Sequence, residues 1–232
     1  MYGEDLDAIC GCELFAGVAP AEAMRLLDAM DARVESYEAN DLAIRLGDEV
    51  RRAGIVLAGV VAGEFLDDAG KVTTVMRFGT GALFAEAMAV LDMPSMVEVR
   101  AVQASRAAWV DLGRLSDPTV VDPQDAAAHA AVHQVILNLT RLLAQKNVLL
   151  TDKAQTLSQR RLRDRIRLYL MSRASMEGQG SVAPITNQSE LARLLAVDRS
   201  ALSRELGRMQ DEGLIRVEGR GDIVVTDPGF LG

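Results

Sequence analysis

The chain has 232 residues, 49 % of them hydrophobic, enough for a full core and for two domains. No apolar run approaches the ~20 residues that cross a bilayer, MYGEDLDAIC lacks a basic-then-apolar leader pattern, and two cysteines make no disulfide framework. Membrane-spanning and disulfide-stapled classes are therefore set aside and a cytoplasmic protein is expected. The net charge of −8 is unevenly shared: residues 151–232 hold 13 Lys/Arg against 11 Asp/Glu, and the remainder 12 against 22.

The first 120 residues read as one helix followed by β-structure. Ala21–Met30 predicts the helix. Short runs rich in Val, Ile and Leu follow at Arg33–Tyr37, Leu42–Leu46, Ile55–Ala58, Val60–Phe65, Val72–Phe78, Val97–Ala101 and Ala107–Leu112. They are punctuated by Gly47-Asp48, Ala58-Gly59, Asp67-Asp68-Ala69-Gly70 and Gly79-Thr80-Gly81. Many short strands with frequent turns predict a sandwich or jelly-roll barrel. A small helix is expected within Ala82–Leu91.

Pro123–Leu150 predicts a long helix with no Gly and no internal Pro. Ala128, Val132, Val135, Leu139, Leu142, Lys146 and Leu149 follow a 4-3 spacing, the a/d seam of a two-stranded coiled coil. Val132, Val135, Leu139, Leu142 and Leu149 are the candidate dimer interface. Ile136, Leu143 and Leu150 form a second stripe beside the first. A helix with two apolar stripes has two surfaces to bury against: a twin helix and the chain's own N-terminal domain. Residues 158–174 predict a further helix with Leu162, Ile166, Tyr169 and Leu170 inward. Arg160, Arg163 and Arg167 lie on another face, either solvated or against phosphates.

The segment TNQSELARLLAVDRSALSRELGRMQDEGLIRVEGRGDIVVT, residues 186–226, is the most informative. It reads as a helix from Gln188 to Leu195 introduced by Thr186 and Asn187, a tight turn, a second helix ended by Gly213, and a hairpin. Leu191, Leu194 and Leu195 face inward from the first helix. Leu202, Leu206 and Met209 share one stripe of the second, while Arg199, Ser200, Ser203, Arg204 and Arg208 fall largely on the other side. Arg can donate two hydrogen bonds to guanine, and serine can reach base edges or phosphates, so a winged helix-turn-helix that binds DNA is expected. Ile223–Thr226 returns the hairpin after a turn at Gly219-Arg220-Gly221-Asp222.

Other chemistries are sparsely supplied. There is no Gly-rich phosphate loop, no H-E-x-x-H and no G-x-S-x-G, so no enzyme is expected. Cys10 and Cys12 are too few for an iron–sulfur cluster, which needs about four thiolates; a redox pair and a bridge between two chains stay open. His129 and His133 lie four apart on one helical face, a spacing that can hold a metal or offer a haem ligand, with Asp125 nearby. No metal site is assigned.

Taken together these parts resemble the CRP/FNR superfamily of bacterial transcription factors over nearly the whole length. The carrying residues are Arg45-Leu46-Gly47-Asp48-Glu49, the Gly54–Gly59 strand and turn, Gly81-Ala82-Leu83-Phe84-Ala85-Glu86, the long helix, and Val197-Asp198-Arg199-Ser200-Ala201-Leu202-Ser203-Arg204-Glu205-Leu206. The resemblance implies an α+β chain: a cyclic-nucleotide-binding-like β-roll (1–122), a dimerisation helix (123–152) and a winged helix-turn-helix domain (153–232). It implies a homodimer reading a near-palindromic operator through Gln188, Ser189, Arg199, Ser200, Ser203, Arg204 and Arg208, with RNA polymerase as a further partner. Ala196 stands where the family's turn commonly has glycine. Relatives that bind cyclic AMP hold its phosphate with an Arg-Ser pair, but here Ser95 and Met96 occupy that place and the next arginine is Arg100; cyclic AMP is not expected. Glu86, Ser95, Met96, Arg100 and Leu150 are the candidate effector pocket. The pocket is left to another small molecule or to no ligand at all, and haem and a redox signal stay open. The alternative is a ligand-binding adaptor of the same fold that does not touch DNA.

Overall fold

In the computed structural model, residues 5–66, 72–117, 119–177, 182–183, 188–218 and 222–231 are described. The chain divides into two compact units, Met1–Gln145 and Lys146–Gly232. The expected turn at Asp67–Gly70, the pair Thr186-Asn187 and the wing tip Gly219-Arg220-Gly221 lie outside the described residues.

Among the described residues the N-terminal unit has eight strands: β1 Arg33–Tyr37, β2 Leu42–Ile44, β3 Ala53–Ala58, β4 Val60–Leu66, β5 Val72–Gly79, β6 Leu83–Phe84, β7 Glu98–Ala101 and β8 Ser105–Val110. They form two antiparallel four-stranded sheets, ordered β1-β8-β3-β6 and β2-β7-β4-β5. Gly59 joins β3 to β4 at φ +85°, and a Cβ there would collide with the Ala104 carbonyl and Ser105. Glycine is required at that corner twice over, for its backbone angle and for close approach. Ser105 Oγ accepts from Val60 N at 3.1 Å, fixing the next turn against this one.

Three helices accompany the sheets: α1 Leu6–Cys10, α2 Pro20–Ala29 and α3 Glu86–Leu91. Proline in the first turn of α2 suits a helix start, where no intrahelical donor is lost. Ile9, Leu14, Phe15, Leu26 and Leu27 bury one side of sheet β1-β8-β3-β6 against Ile55 and Val110. Asp5, itself buried, pairs with Arg106 on β8 at 2.9 Å and ties α1 down.

Helix α4 runs unbroken over Ala126–Ser158, 33 residues, eight beyond the expected C-terminal end, and the dividing point between units falls inside it. The first half carries a correction. Val135 and Leu142 are buried in the core of the N-terminal unit, and Val132 and Leu139 pack against it. Those four residues, expected on a seam with a second chain, cover their own domain instead; Leu149, the fifth, is 44 % exposed. Asn138 shares the buried face. Its amide donates to the carbonyls of Leu14 and Ala16 at 3.0 and 2.8 Å and accepts from Gln134 at 2.9 Å. A buried amide with all these partners fixes the helix against residues 14–16 more specifically than leucine would. The other apolar stripe, expected as the second face, is the one left open: Ile136 and Leu150 are 41 % and 46 % exposed.

The C-terminal unit holds α5 Leu162–Glu177, α6 Gln188–Leu194 and α7 Arg199–Asp211, with β9 Val182–Ala183, β10 Ile215–Glu218 and β11 Asp222–Val225 in a sheet ordered β10-β11-β9. Ile166 and Leu170 of α5, Leu191 and Leu195 around α6, Leu202, Leu206 and Met209 of α7 and Ile215 and Ile223 of the hairpin make one core. The third strand, β9, is only two residues long and gives no sequence signal. No described helix is long and apolar enough to cross a membrane.

Candidate nucleic-acid interface and effector site

Helix α7 has the two faces its spacing predicts. Leu202, Leu206 and Met209 are at most 1 % exposed, whereas Arg199, Ser200, Ser203, Arg204 and Arg208 are all exposed. Arg199 and Arg204 have no ion-pair partner among the described residues. Arg208 is drawn to Glu205 at 3.3 Å. Gln188 and Ser189, at the start of α6, are half-buried.

The turn between α6 and α7 passes through Ala196 at φ +54°, the left-handed region that favours glycine. The geometry of a glycine turn is thus kept with an alanine in it. Arg165 of α5 supports this turn from behind: its guanidinium donates to the Leu195 carbonyl at 3.0 Å and to the Gln159 carbonyl at 2.8 Å. A cation on the last carbonyls of a short helix satisfies acceptors that have no partner in the helix itself. Gln210 Oε1 accepts from Val217 N at 2.9 Å and links α7 to the hairpin.

Arg163 is a second correction. It was a candidate for phosphate contact, but it bonds Glu205 at 2.8 Å and Glu212 at 2.7 Å, both on the α7 side of the unit. The guanidinium holds the Glu212 carboxyl below its ordinary value, chiefly by direct hydrogen bonding. With two carboxylates in place Arg163 is a structural clamp rather than a ligand for DNA. Sequence spacing could not reveal this, because the partners are more than 40 residues away.

The candidate effector residues come together only in part. Glu86 and Ser95 are buried, at 4 % and 3 % exposure. Ser95 Oγ donates to the Val97 carbonyl at 2.6 Å, and the Ser95 backbone is paired with Gly47 and Asp48, so its hydroxyl serves its own loop. Met96 is 68 % exposed. Arg100 is corrected: Val99 and Ala101 are the buried residues of β7, and Arg100 lies on the opposite face against Glu98 at 2.9 Å, Glu64 at 3.4 Å and the Asn40 carbonyl at 2.8 Å. Arg100 is thus flanked by two carboxylates. Leu150 is exposed on the C-terminal half of α4.

Aromatic rings pack in the core of the β-roll beside Ile44, Val56, Val61 and Val99. Phe84 stacks edge-on against Trp109 with centroids 5.2 Å apart and lies 5.9 Å from Phe78. Gly54 sits in register with both Phe84 and Trp109 on the flanking strands, and a Cβ at Gly54 would run into the Phe84 ring. Trp109 Nε1 donates to the Tyr37 hydroxyl at 2.9 Å, and that hydroxyl donates to Glu35. Burial, then the Glu35 hydrogen bond, pushes the Tyr37 hydroxyl far above its ordinary value. Beside this network, and sharing Trp109 and Glu35 with it, a cleft of about 510 Å³ is lined by Arg33, Asp48, Glu49, Arg51 and Arg52 among others; none of the candidate effector residues borders it.

Among the described residues no group of three or more His, Cys, Asp or Glu is disposed to hold a metal ion. Cys10 is exposed and Cys12 buried in the core. Asp125, expected beside the histidines, is engaged by Arg25 at 2.6 Å and by Ala128 N at 2.9 Å.

Comparison with known proteins agrees with this architecture. Residues 34–117 match the cyclic nucleotide-binding domain and residues 161–231 the Crp-like helix-turn-helix domain. Against curated protein sequences the chain finds no match. A CooA mutant from Carboxydothermus hydrogenoformans superposes with a TM-score of 0.61 at 16 % identity, covering 90 % of this chain and 93 % of that one. CLP, the c-di-GMP responsive global regulator of Xanthomonas campestris, gives 0.58 at 18 % identity over 90 % and 100 %. A CRP/FNR-family regulator of Thermus thermophilus gives 0.50 at 23 % identity over 86 % and 96 %. At these identities the structural likeness is one of fold. With a cyclic nucleotide-binding domain ahead of a Crp-like reading head in a single polypeptide, the chain belongs to the CRP/FNR family of transcription regulators.

Proposed function

We propose that two copies of this chain, joined along α4, read a near-palindromic operator in a sequence-specific manner. The observation that carries this reading is the division of α7. Three apolar side chains anchor it, and Arg199 and Arg204 are held outward with no competing carboxylate on them among the described residues. A guanidinium left to water in the free protein can exchange that water for the O6 and N7 of guanine. Ser200 and Ser203 stand between the arginines, within reach of base edges or phosphates.

The dimer follows from the face of α4 that its own domain leaves open. His129, His133, Ile136, Thr140, Leu143, Asn147 and Leu150 recur with 4-3 spacing, and the d positions after His129 are Ile, Leu and Leu. An amide at the a position of Asn147 favours one register between paired helices. The sensor's state would act through this seam on the spacing of two recognition helices, about one DNA turn (roughly 34 Å) apart. Cyclic AMP is disfavoured as the effector because Arg100 is committed to Glu98 and Glu64.

Selection from random duplexes, followed by fluorescence anisotropy with the enriched sequence, tests the proposal. The expected outcome is a two-fold-symmetric site bound by two chains. Absence of any enrichment, with the protein folded, would favour the adaptor reading instead.

A further inference from the structure

The chain has two histidines, and both are on the open face of α4. His129 and His133 are one helical turn apart, so their imidazoles project from the same side, a spacing that lets two rings approach one cation. They occupy consecutive positions of the 4-3 stripe, directly ahead of Ile136. The nearby carboxylate of Asp125 is held by Arg25 and by Ala128 N. No third His, Cys, Asp or Glu joins them among the described residues.

We infer that His129 and His133 form half of a transition-metal site whose other half is the same pair from a second copy of the chain. The inference rests on the α4 dimer proposed above. In a parallel two-stranded coiled coil, side chains at a and d positions of one helix face their counterparts on the other. Two chains therefore bring four imidazoles to the N-terminal end of the seam. Four neutral nitrogens around a closed site suit a borderline divalent ion that accepts tetrahedral geometry, and Zn²⁺ is the first choice. A single chain would leave such an ion half-coordinated, so the site exists only in the dimer. Seam residues of this kind would otherwise weaken the pairing, since two histidines replace apolar side chains at core positions. Bound metal turns that weak end of the seam into a cross-link and lowers the dissociation constant of the dimer.

The test uses full-length, tag-free protein titrated with Co²⁺ by absorption spectroscopy and with Zn²⁺ by native mass spectrometry. Sedimentation velocity is run with and without metal. The expected result is one metal ion per two chains, a tetrahedral Co²⁺ spectrum, and a tighter dimer on metal addition. His129→Gln and His133→Gln should each weaken binding by roughly a hundredfold or more, since a lost ligand costs at least what a lost supporting group does. Both side chains are exposed, so these variants should keep the wild-type circular dichroism. Cys10→Ser should bind metal like the wild type. A dimer that takes up no metal, one ion per chain, or unchanged binding by His133→Gln would overturn the site. A wild type that is monomeric throughout would overturn the dimer itself, and this site with it.

Discussion

In the C-terminal unit, α7 projects Arg199, Ser200, Ser203, Arg204 and Arg208 from one exposed face, and two of its arginines have no ion-pair partner among the described residues. In the N-terminal unit two polar groups set into the roll are already engaged, Ser95 with its own loop and Tyr37 with Trp109 and Glu35. The contrast follows from where each group sits. A surface donor keeps water as its partner until a ligand displaces it, whereas a donor inside a roll must be paired for the fold to persist. The face proposed to read DNA is therefore open in the free chain.

The most disruptive way to probe this difference lies on α4, where one face belongs to the roll and the other is open. Ile136→Glu should cost the proposed dimer about 3–5 kcal/mol by placing unpaired charges in the seam, giving folded monomers in sedimentation velocity. Val135→Glu should instead unfold the N-terminal unit. A stable dimer of Ile136→Glu would return the seam to the other stripe.

Inside the roll, Gly54→Ala should lower stability by about 1–3 kcal/mol through overpacking against Phe84, read as a lower urea midpoint for the N-terminal unit. Adding Phe84→Leu should recover part of that loss. On the reading surface, Arg204→Ala should remove about 1–3 kcal/mol of specific binding and relax the preference at one base pair in each half-site. A uniform loss across unrelated duplexes would make Arg204 a phosphate contact. Ala196→Gly should stabilise the C-terminal unit by less than about 1 kcal/mol, since relief of the left-handed alanine is partly offset by the freer unfolded chain.

The smallest expected effect is an acid one. Hydrogen bonds from Arg163 keep the Glu212 carboxyl below its ordinary value, so its support is present above the ordinary carboxylate range. That support is lost as pH falls through the folded value. Arg163→Ala should flatten the acid limb of the C-terminal unit's stability profile, measured by denaturant titration between about pH 7 and pH 3. A parallel profile for the two proteins would show that the clamp has no linkage to protons.

Spacing alone placed the elements whose faces differ in polarity. Strand β1 matches its expected span, Arg33–Tyr37, and α7 keeps the expected inward and outward residues. Elements too short to carry a period were not legible: β6 and β9 have two residues each and α1 has five. Spacing gives α4 two stripes but not the partner that each meets. Apolarity does not decide this, because the buried face contains Asn138 and the open face contains Ile136. Arg100 was ambiguous for a related reason, since alternation gives opposite faces but only the register with β4 says which of them is inside. The clamps made by Arg163 and Arg165 depend on partners far along the chain, and no local pattern announces them.

Gly54 lies between Phe84 on one neighbouring strand and Trp109 on the other, with no room for a side chain. Positions 54 and 84 are consequently bound to change in concert during evolution. Descendants that acquire a methyl group at 54 should carry a smaller residue at 84, and lineages that retain the phenylalanine should retain the glycine. Such covariation would be imposed by volume, so it should outlast any turnover in the signal the lineage responds to.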